Sequence, residues 1–443
     1  MIDTTDKSGR SIGLVGAIAI GIGGMVGGGI FAVLGEAASI ANGATAVAFA
    51  IAGVVAFLTA YSYAKLSVTY QNRGGTITFI DRAFDHDLFA GSMNVMLWLS
   101  YLVTISLYAV AFGAYAGTFF PTDHSPVLRH LLISAAILLP GIINLVNASV
   151  VSRSETFLVV VKLLILVFVV IVGMPYVEFE RMSPVHWEAP LAIVTAGMVI
   201  FVAYEGFELI ANAAEDIKEP EKNLPRAFFG SVVLVIVLYV LIAIITIGTV
   251  DEETLLQAKD YALAIAVKPA LGEFGFTLVA VAALIATFSA INATIYGNSR
   301  LAYSLGIEGE LPMVDKEGVD NPKYGVLTTI VLSLLMANLI DLTEIAIIGS
   351  ASFLLIFTVT NLSAMRLYRE VHGNRWFFLT AFLSSLAALI TLMVHTYHSN
   401  PHAVYIFAAF IVLSLTFELT YGLFYRKRFT TKKHPRRVNK EQS

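Results

Sequence analysis

The stretch GIGGMVGGGIF, residues 21–31, lies in the middle of the first long apolar segment of the chain. Six of its eleven residues are glycine. Each glycine in a helix interior costs about 1 kcal/mol relative to alanine. The segment is therefore apolar enough to cross a membrane but expensive to keep helical, and so many glycines need a reason other than helix stability.

Three interpretations of this glycine run compete. A dinucleotide-binding loop is excluded, because Val26 occupies the third glycine position of G-x-G-x-x-G and the flanking residues form an apolar span. Close packing of two helices is favoured by two pairs with small-xxx-small spacing, Gly23/Gly27 and Gly24/Gly28. An interrupted helix is favoured by the consecutive glycines at 27–29. Its freed N–H groups, at the positive end of a helix dipole, suit a carboxylate where the backbone lines a cavity.

The composition identifies an integral membrane protein. Hydrophobic residues make up 57% of the chain and charged residues 14%, against about 25% charged residues in an average soluble domain. A membrane-spanning helix needs about 20 apolar residues, and windows of that length recur along nearly the whole chain. We predict an all-α protein with twelve spans at residues 11–34, 43–70, 88–119, 127–149, 153–175, 190–212, 226–248, 272–304, 325–341, 344–366, 376–397 and 402–425.

The distribution of lysine and arginine predicts the orientation, because cytoplasmic loops retain these residues. With the N-terminus inside, the exceptions among the 28 basic residues are few: Arg129, Arg181, Lys259, Lys268 and, inside a span, Lys162. We therefore expect a multi-pass protein of the plasma membrane with both termini cytoplasmic. The basic tail at 426–443 then faces acidic lipid headgroups rather than nucleic acid. On the outer side, the helical spacing of residues 251–270 predicts a short amphipathic helix.

The sequence argues against redox, metal and enzyme chemistry. The chain has no cysteine, which excludes disulfides and thiolate ligands. Its nine histidines fall mostly in loops or near the ends of spans and predict no metal site. No nucleophile is accompanied by a matching base, so we expect no enzymatic activity. The sequence does not determine the oligomeric state.

A second interruption is predicted in the sixth span. The run VIFVAYEGFELIANAAEDIKEPEKNLP, residues 199–225, places Glu205 and Glu208 within an apolar segment, with Gly206 between them. Carboxylates at this depth normally face a cavity or carry a proton, because an ionised group in lipid is costly. The first and sixth spans are also the leading helices of two five-helix blocks. Broken helices at equivalent positions of two halves are typical of an inverted-repeat transporter with its binding site near the midplane.

Three stretches carry a resemblance to the amino acid, polyamine and organocation (APC) transporter superfamily: GGMVGGGIF at 23–31, FVAYEGFELIANAAEDIKEPEKNLPRA at 201–227 and SAINATIYGNSRLAYSLGIEGELP at 289–312. The chain is most similar to ApcT-type proton-coupled amino acid permeases. The resemblance implies the LeuT-type fold, a 5+5 inverted repeat with discontinuous helices 1 and 6. It divides the chain into repeats at 11–175 and 190–366, two additional helices at 376–425 and the basic tail at 426–443.

The resemblance also implies a binding site for an amino acid. In the first span, the backbone that receives the substrate carboxylate corresponds to Met25, Val26, Gly27, Gly28 and Gly29. In the sixth, the carbonyls that receive the α-ammonium correspond to Phe201, Val202 and Tyr204. Gly28 departs from the serine of many relatives. Glu205 is a candidate contact for a cationic substrate. Aromatic residues for the substrate side chain, or for ordinary packing, are Tyr101, Tyr108, Tyr204 and Phe207, with Met25.

Lys162 is the candidate for proton coupling. It lies about nine residues into the fifth span between apolar neighbours, where burial favours the neutral amine over the ammonium. A shifted helix that lets the side chain reach the interface is the alternative. The resemblance places Lys162 where sodium-coupled relatives hold a cation between the first and eighth spans. That position implies neighbours at Gly21 to Gly24 and at Ser289. Glu208 is a second proton candidate.

These residues predict a secondary active amino acid transporter, with proton symport by alternating access as the mechanism. No cofactor is expected, and protons serve as the coupling ion. An amino acid or polyamine exchanger is the main alternative, since it shares the fold. A transporter-like amino acid receptor without flux is a remote alternative, because it leaves the interrupted helices and the intramembrane lysine without a purpose.

Overall fold

The computed structural model describes residues 10–84, 88–120, 125–146, 149–307, 323–421 and 423, and the predicted basic tail lies outside them. The described residues form seventeen α-helices: α1 Leu14–Met25, α2 Gly29–Ala41, α3 Thr45–Thr69, α4 Thr76–Phe84, α5 Leu88–Gly117, α6 Pro126–Val146, α7 Ser149–Gly173, α8 Pro190–Val199, α9 Leu209–Asn212, α10 Pro220–Thr249, α11 Glu252–Gln257, α12 Ala262–Ala266, α13 Lys268–Ile307, α14 Lys323–Leu339, α15 Leu342–Arg366, α16 Arg375–Ser399 and α17 Pro401–Tyr421.

Most of these helices are membrane spans. In the described part of the chain, ten segments are long and apolar enough to cross a bilayer, and one of them is the interrupted segment Pro190–Asn212. The pair α1 and α2, bent by 49°, adds the broken first span, and α14 is a shorter apolar helix. Together they match the twelve predicted spans. The predicted end of the first span at residue 34 was wrong, because α2 continues to Ala41.

The chain alternates between two faces of the molecule. On the N-terminal face, where α1 begins, Ile12 pairs with Ile217 and the Arg10 guanidinium donates to Gln71 Oε1 over 2.6 Å. On the opposite face, Asn42 pairs with Trp187, and Glu178 N–H donates to Gly248 O over 2.8 Å. Backbone and side-chain contacts thus join the chain segments at each face, and the spans between them run up and down in turn.

The centre of the bundle is α5. Its most apolar stretch is 94% buried, against 22% for α17 at the periphery. The helix packs against α6, α13, α14, α15 and α17. Because α5 is enclosed by protein, its tyrosines and serines are in contact with other helices rather than with lipid. The helices α6, α16 and α17 instead leave most of their apolar surface for the bilayer.

The predicted amphipathic helix at 251–270 was wrong as a single element. The segment is divided into α11, a tight turn at Lys259–Tyr261 and α12. The start of α11 follows local chemistry: Asp251 accepts the Thr254 N–H over 2.9 Å, and this backbone hydrogen bond lowers the pKa of Asp251 below its usual value. The end of α11 depends on a contact with another helix, because Lys259 forms an ion pair with Glu36 of α2.

Candidate functional site

The first span is interrupted between Met25 and Gly29. Val26 leaves the helical conformation, with φ −84° and ψ 42°, and α2 starts in a new direction. A Cβ atom on Gly24 would lie 2.5 Å from Gly206 O, and one on Gly29 would lie 2.7 Å from Ala203 Cα. Close packing and interruption therefore both occur: the glycine run breaks the helix and lets it touch the sixth span.

The sixth span is interrupted directly opposite. After α8, residues Ile200–Tyr204 form a tighter 3₁₀ turn, and regular helix resumes only at Leu209. Gly206 between them has φ +117°, a conformation that residues with a Cβ rarely adopt. A Cβ there would also overlap the backbone of Gly24. Both interruptions were predicted from the sequence and are confirmed.

Ser350 of another helix and Glu208 of the same span satisfy backbone groups that the sixth-span interruption frees. The Val202 N–H donates to Ser350 Oγ of α15 over 2.9 Å, and the Ser350 hydroxyl donates to Val199 O over 2.5 Å. The Gly206 N–H donates to Glu208 Oε2 over 2.8 Å. Ser350 was not identified from the sequence, where it is one of several serines in an apolar span. Its bonds make the tight turn a fixed part of the structure.

Glu205 and Glu208 are buried, with 3% and 1% of their surface exposed. Both point toward α5. Tyr108 OH donates to Glu205 Oε2 and Tyr101 OH to Glu208 Oε1, each over 3.3 Å. The two carboxylates therefore have polar partners in the core of the bundle and do not face lipid.

Another residue missed from the sequence is Tyr239 of α10. Its hydroxyl lies 2.6 Å from Met25 O and 3.3 Å from Ala203 O, at the ends of the two interruptions. The sequence did contain a hint of this role, a single tyrosine in the apolar run VVLVIVLYVLIAIITIG at 232–248. A buried tyrosine hydroxyl usually has a hydrogen-bond partner.

A cavity of about 70 Å³ begins where the two interrupted spans meet. Several predicted site residues line it: Gly23, Gly24, Lys162, Glu205 and Ser289, together with Tyr101 and Tyr108. It continues toward the N-terminal face past Asn212 and Asn298. Lys162 is 3% exposed. The volume is well below the roughly 300 Å³ at the lower end of typical ligand pockets. An amino acid fits there only if the surrounding helices separate.

The other predicted site residues do not line this cavity: Gly21, Met25, Val26, Gly27, Gly28, Gly29, Phe201, Val202, Tyr204, Phe207 and Glu208. Gly21 faces Ile210 and Ser231, where a Cβ would lie 2.7 Å from each side chain. Phe207 packs among aromatic rings, including Tyr63 at 5.5 Å between centroids. The Tyr204 hydroxyl donates to Phe49 O over 2.9 Å. The aromatic residues that line the cavity are thus Tyr101 and Tyr108 of α5.

The structure leaves no room for a side chain at Gly28. A Cβ atom on Gly28 would overlap the ring of Tyr108 and lie 3.1 Å from Thr287 Cγ2. The first ring atoms of Tyr108 are close to its backbone and cannot move far. The ring therefore occupies the space that a serine side chain would need.

Comparison with known proteins identifies the family. The amino acid permease family model matches residues 12–429. The chain belongs to the amino acid permease family. This permease is 34% identical to an uncharacterized protein of Methanocaldococcus jannaschii, over 95% of this chain and 97% of that one. It is 31% identical to the inner membrane transport protein YbaT of Escherichia coli, over 94% and 97%.

A solved structure supports the fold of the permease. A manganese transporter of Eremococcus coleocola superposes with a TM-score of 0.63 over 97% of this chain and 98% of that one, at 13% sequence identity. This likeness bears on the fold alone. With the family match, it confirms a LeuT-type membrane transporter of the APC superfamily, and the permease is not an enzyme.

The permease is closed on the face opposite its N-terminus. Glu36 of α2 is buried, with 7% of its surface exposed, and forms an ion pair with Lys259. The Thr343 hydroxyl of α15 donates to Glu36 Oε2 over 3.0 Å, and Lys259 Nζ donates to Thr343 Oγ1 over 3.4 Å. Three elements are thus joined above the first interruption. The cavity extends the other way, toward the N-terminal face.

Proposed function

We propose that this permease is a secondary active transporter of α-amino acids that couples uptake to protons by alternating access. The observation that carries the proposal is the contact between the two interrupted spans beside a cavity that also holds Lys162. Gly23 and Gly24 near the end of α1, Glu205 after the tight turn and the buried amine of Lys162 then border one small space. The description of the family, amino acid permease, supports the substrate class.

The helix ends supply the recognition of the substrate backbone. The N-terminus of α2, with the backbone at Gly27, Gly28 and Gly29, presents N–H groups at the positive end of a helix dipole, which suits the carboxylate. Carbonyls of the tight turn at Phe201, Val202 and Tyr204 suit the α-ammonium. An amino acid is thus held by its backbone, and its side chain lies toward Tyr101 and Tyr108. Glu205 is positioned to attract a second positive charge.

Lys162 supplies the proton coupling. It borders the same cavity as Gly23 and Gly24 of the first span and Ser289 of α13, the eighth span. A protonated amine in that position attracts carbonyl and hydroxyl oxygens from both spans and favours the outward-open, binding-competent arrangement. Loss of the proton removes this attraction, and the permease opens toward the cytoplasm. Glu208, bonded to Gly206 at the second interruption, is a further proton carrier.

We further propose that the N-terminal face is cytoplasmic and that the permease lies in the plasma membrane. The basic loops support this orientation, and a relative is an inner membrane transport protein. The open direction of the cavity then makes the present structure closed to the outside. This arrangement is the one expected after substrate has entered from outside and before the next cycle.

Uptake into proteoliposomes tests the proposal. Purified permease is reconstituted, and a panel of labelled amino acids is offered with and without an inward proton gradient. We expect at least one amino acid to accumulate only with the gradient. Uptake that instead requires amino acid inside the vesicles would identify an exchanger. Binding without flux would identify a receptor, and neither binding nor flux for any amino acid would overturn the substrate class.

A further inference from the structure

The seventh span, α10, reaches both interruptions through one side chain. Tyr239 is fully buried, and its hydroxyl lies 2.6 Å from Met25 O and 3.3 Å from Ala203 O. Met25 is the last residue of α1, so its carbonyl is one of the acceptors that a helix end leaves without an intrahelical donor. Ala203 belongs to the tight turn of the sixth span. The phenol therefore joins two segments that are far apart in the chain.

A single proton serves two acceptors at this point. A phenol has one O–H group to donate, and the two carbonyl oxygens carry partial charges of the same sign. Without the proton they repel each other, and an unpaired buried carbonyl costs free energy because no water replaces its partner. The neighbouring contacts between Gly24 and Gly206 and between Gly29 and Ala203 require the segments to stay close. Tyr239 and these contacts together thus set the spacing between the interruptions.

We propose that Tyr239 is a positioning residue that makes the site selective for α-amino acids. The inference rests on the proposed function, in which the first span binds the carboxylate and the sixth binds the ammonium. In an α-amino acid both groups are attached to the same carbon, so their separation is fixed and short. A β-amino acid places one more carbon between them. A site whose two halves are held at one distance by the Tyr239 hydroxyl distinguishes the two substrates.

The variant Tyr239→Phe tests this inference, with Ser106→Ala as its matched control. Ser106 also has one buried hydroxyl close to two carbonyls on different helices, Leu102 O at 2.8 Å and Ser333 O at 3.1 Å. It lies between α5 and α14, and its two carbonyl partners belong to neither interrupted span. Both variants delete one buried hydroxyl. A loss of stability alone should therefore appear in both variants.

The measurement is the affinity of each reconstituted protein for the best α-amino acid of the panel and for its β-homologue, together with the thermal unfolding temperature. We expect Tyr239→Phe to bind the α-amino acid about tenfold more weakly, the size of one lost buried hydrogen bond. The α-to-β affinity ratio should fall, while the Ser106→Ala ratio stays at the wild-type value. Both variants should unfold at similarly lowered temperatures.

Three results would overturn the inference. The first is an unchanged affinity and ratio in Tyr239→Phe. The second is equal affinity losses for both substrates, or a loss of the ratio in Ser106→Ala as well. The third is a Tyr239→Phe protein that fails to fold while Ser106→Ala folds, which would make the hydroxyl a structural requirement only. A wild-type protein that binds no amino acid would refute the proposed function itself, and is recognised before either variant is made.

Discussion

At the scale of single residues, two features of Lys162 argue for a functional role. Its side chain is almost completely buried within an apolar helix, and it borders a cavity that the first and eighth spans also line. A charged group in that environment is stabilised only by polar neighbours. Its protonation state is therefore linked to whether those neighbours are near.

Replacing Lys162 with methionine should abolish the pH dependence of uptake. One pH unit corresponds to about a tenfold gradient, which a 1:1 symporter converts into about tenfold accumulation. Without the amine, we expect the variant to equilibrate its substrate without accumulation. Proteoliposome uptake measures this, with Lys222→Met, an exposed lysine paired with Glu219, as the control. Acid-stimulated accumulation in Lys162→Met would reject the assignment.

Gly28 gives a second prediction at this scale. Introducing the serine that the family resemblance implies, Gly28→Ser, should impair transport rather than improve it, because its Cβ overlaps the Tyr108 ring. Crowding a packed site of this kind costs about 1–3 kcal/mol. We expect the KM for uptake to rise about tenfold. A Gly28→Ser protein with a lower KM than wild type would show that Tyr108 moves freely and that the steric reason is wrong.

At the scale of elements, the interrupted spans depend on each other. The N–H and carbonyl groups that they free are bonded to α10, α15 and Glu208, and the two backbones touch through glycine. Neither interruption is therefore a local defect. A change that straightens or displaces one of them must displace the other.

Gly206→Ala should disrupt both interruptions. The alanine would need a φ of +117° and would overlap the Gly24 backbone, so we expect a loss of several kcal/mol in stability. Uptake should be abolished, or no folded protein recovered. Gly230→Ala in α10 is the control, since a Cβ there meets Ile18 Cδ1 at an ordinary 3.5 Å. Its unfolding temperature should equal or exceed that of wild type. Normal uptake by Gly206→Ala would contradict the geometry.

The same elements show what the sequence can predict. The positions of the interruptions follow from local composition, because consecutive glycines and a Glu-Gly pair are visible within a few residues of each break. The partners that fix those breaks, Tyr239 and Ser350, come from helices far along the chain, so local patterns do not indicate them. Likewise the helix expected over 251–270 is divided where Lys259 contacts α2. Pairings of this kind arise only when the helices are packed together.

At the scale of the whole molecule, the closed face is held by contacts from separate parts of the chain. Glu36, Lys259 and Thr343 join α2, the turn before α12 and α15. Alternating access requires this face to open when substrate enters from its side. The ion pair must then break in every cycle, and its strength contributes to the balance between the two arrangements.

Lys259→Met should shift that balance toward opening on the closed face. The chain has no cysteine, so a single Ala290→Cys on the cavity wall can report access. We expect a membrane-impermeant maleimide added on this side to label Lys259→Met severalfold faster than the parent protein. The swap Glu36→Lys with Lys259→Glu should restore slow labelling. Lys268→Met, which breaks an exposed ion pair with Glu273 on the same face, should change nothing. Equal rates in all variants would show that the ion pair does not hold this face closed.

The small cavity has a consequence for every affinity measured on this protein. A space of about 70 Å³ cannot admit an amino acid without helix movement, so the competent conformation is only part of the unliganded population. The apparent dissociation constant is then the intrinsic one divided by that fraction. An antibody fragment that holds the helices apart would lower the apparent dissociation constant without contacting the substrate.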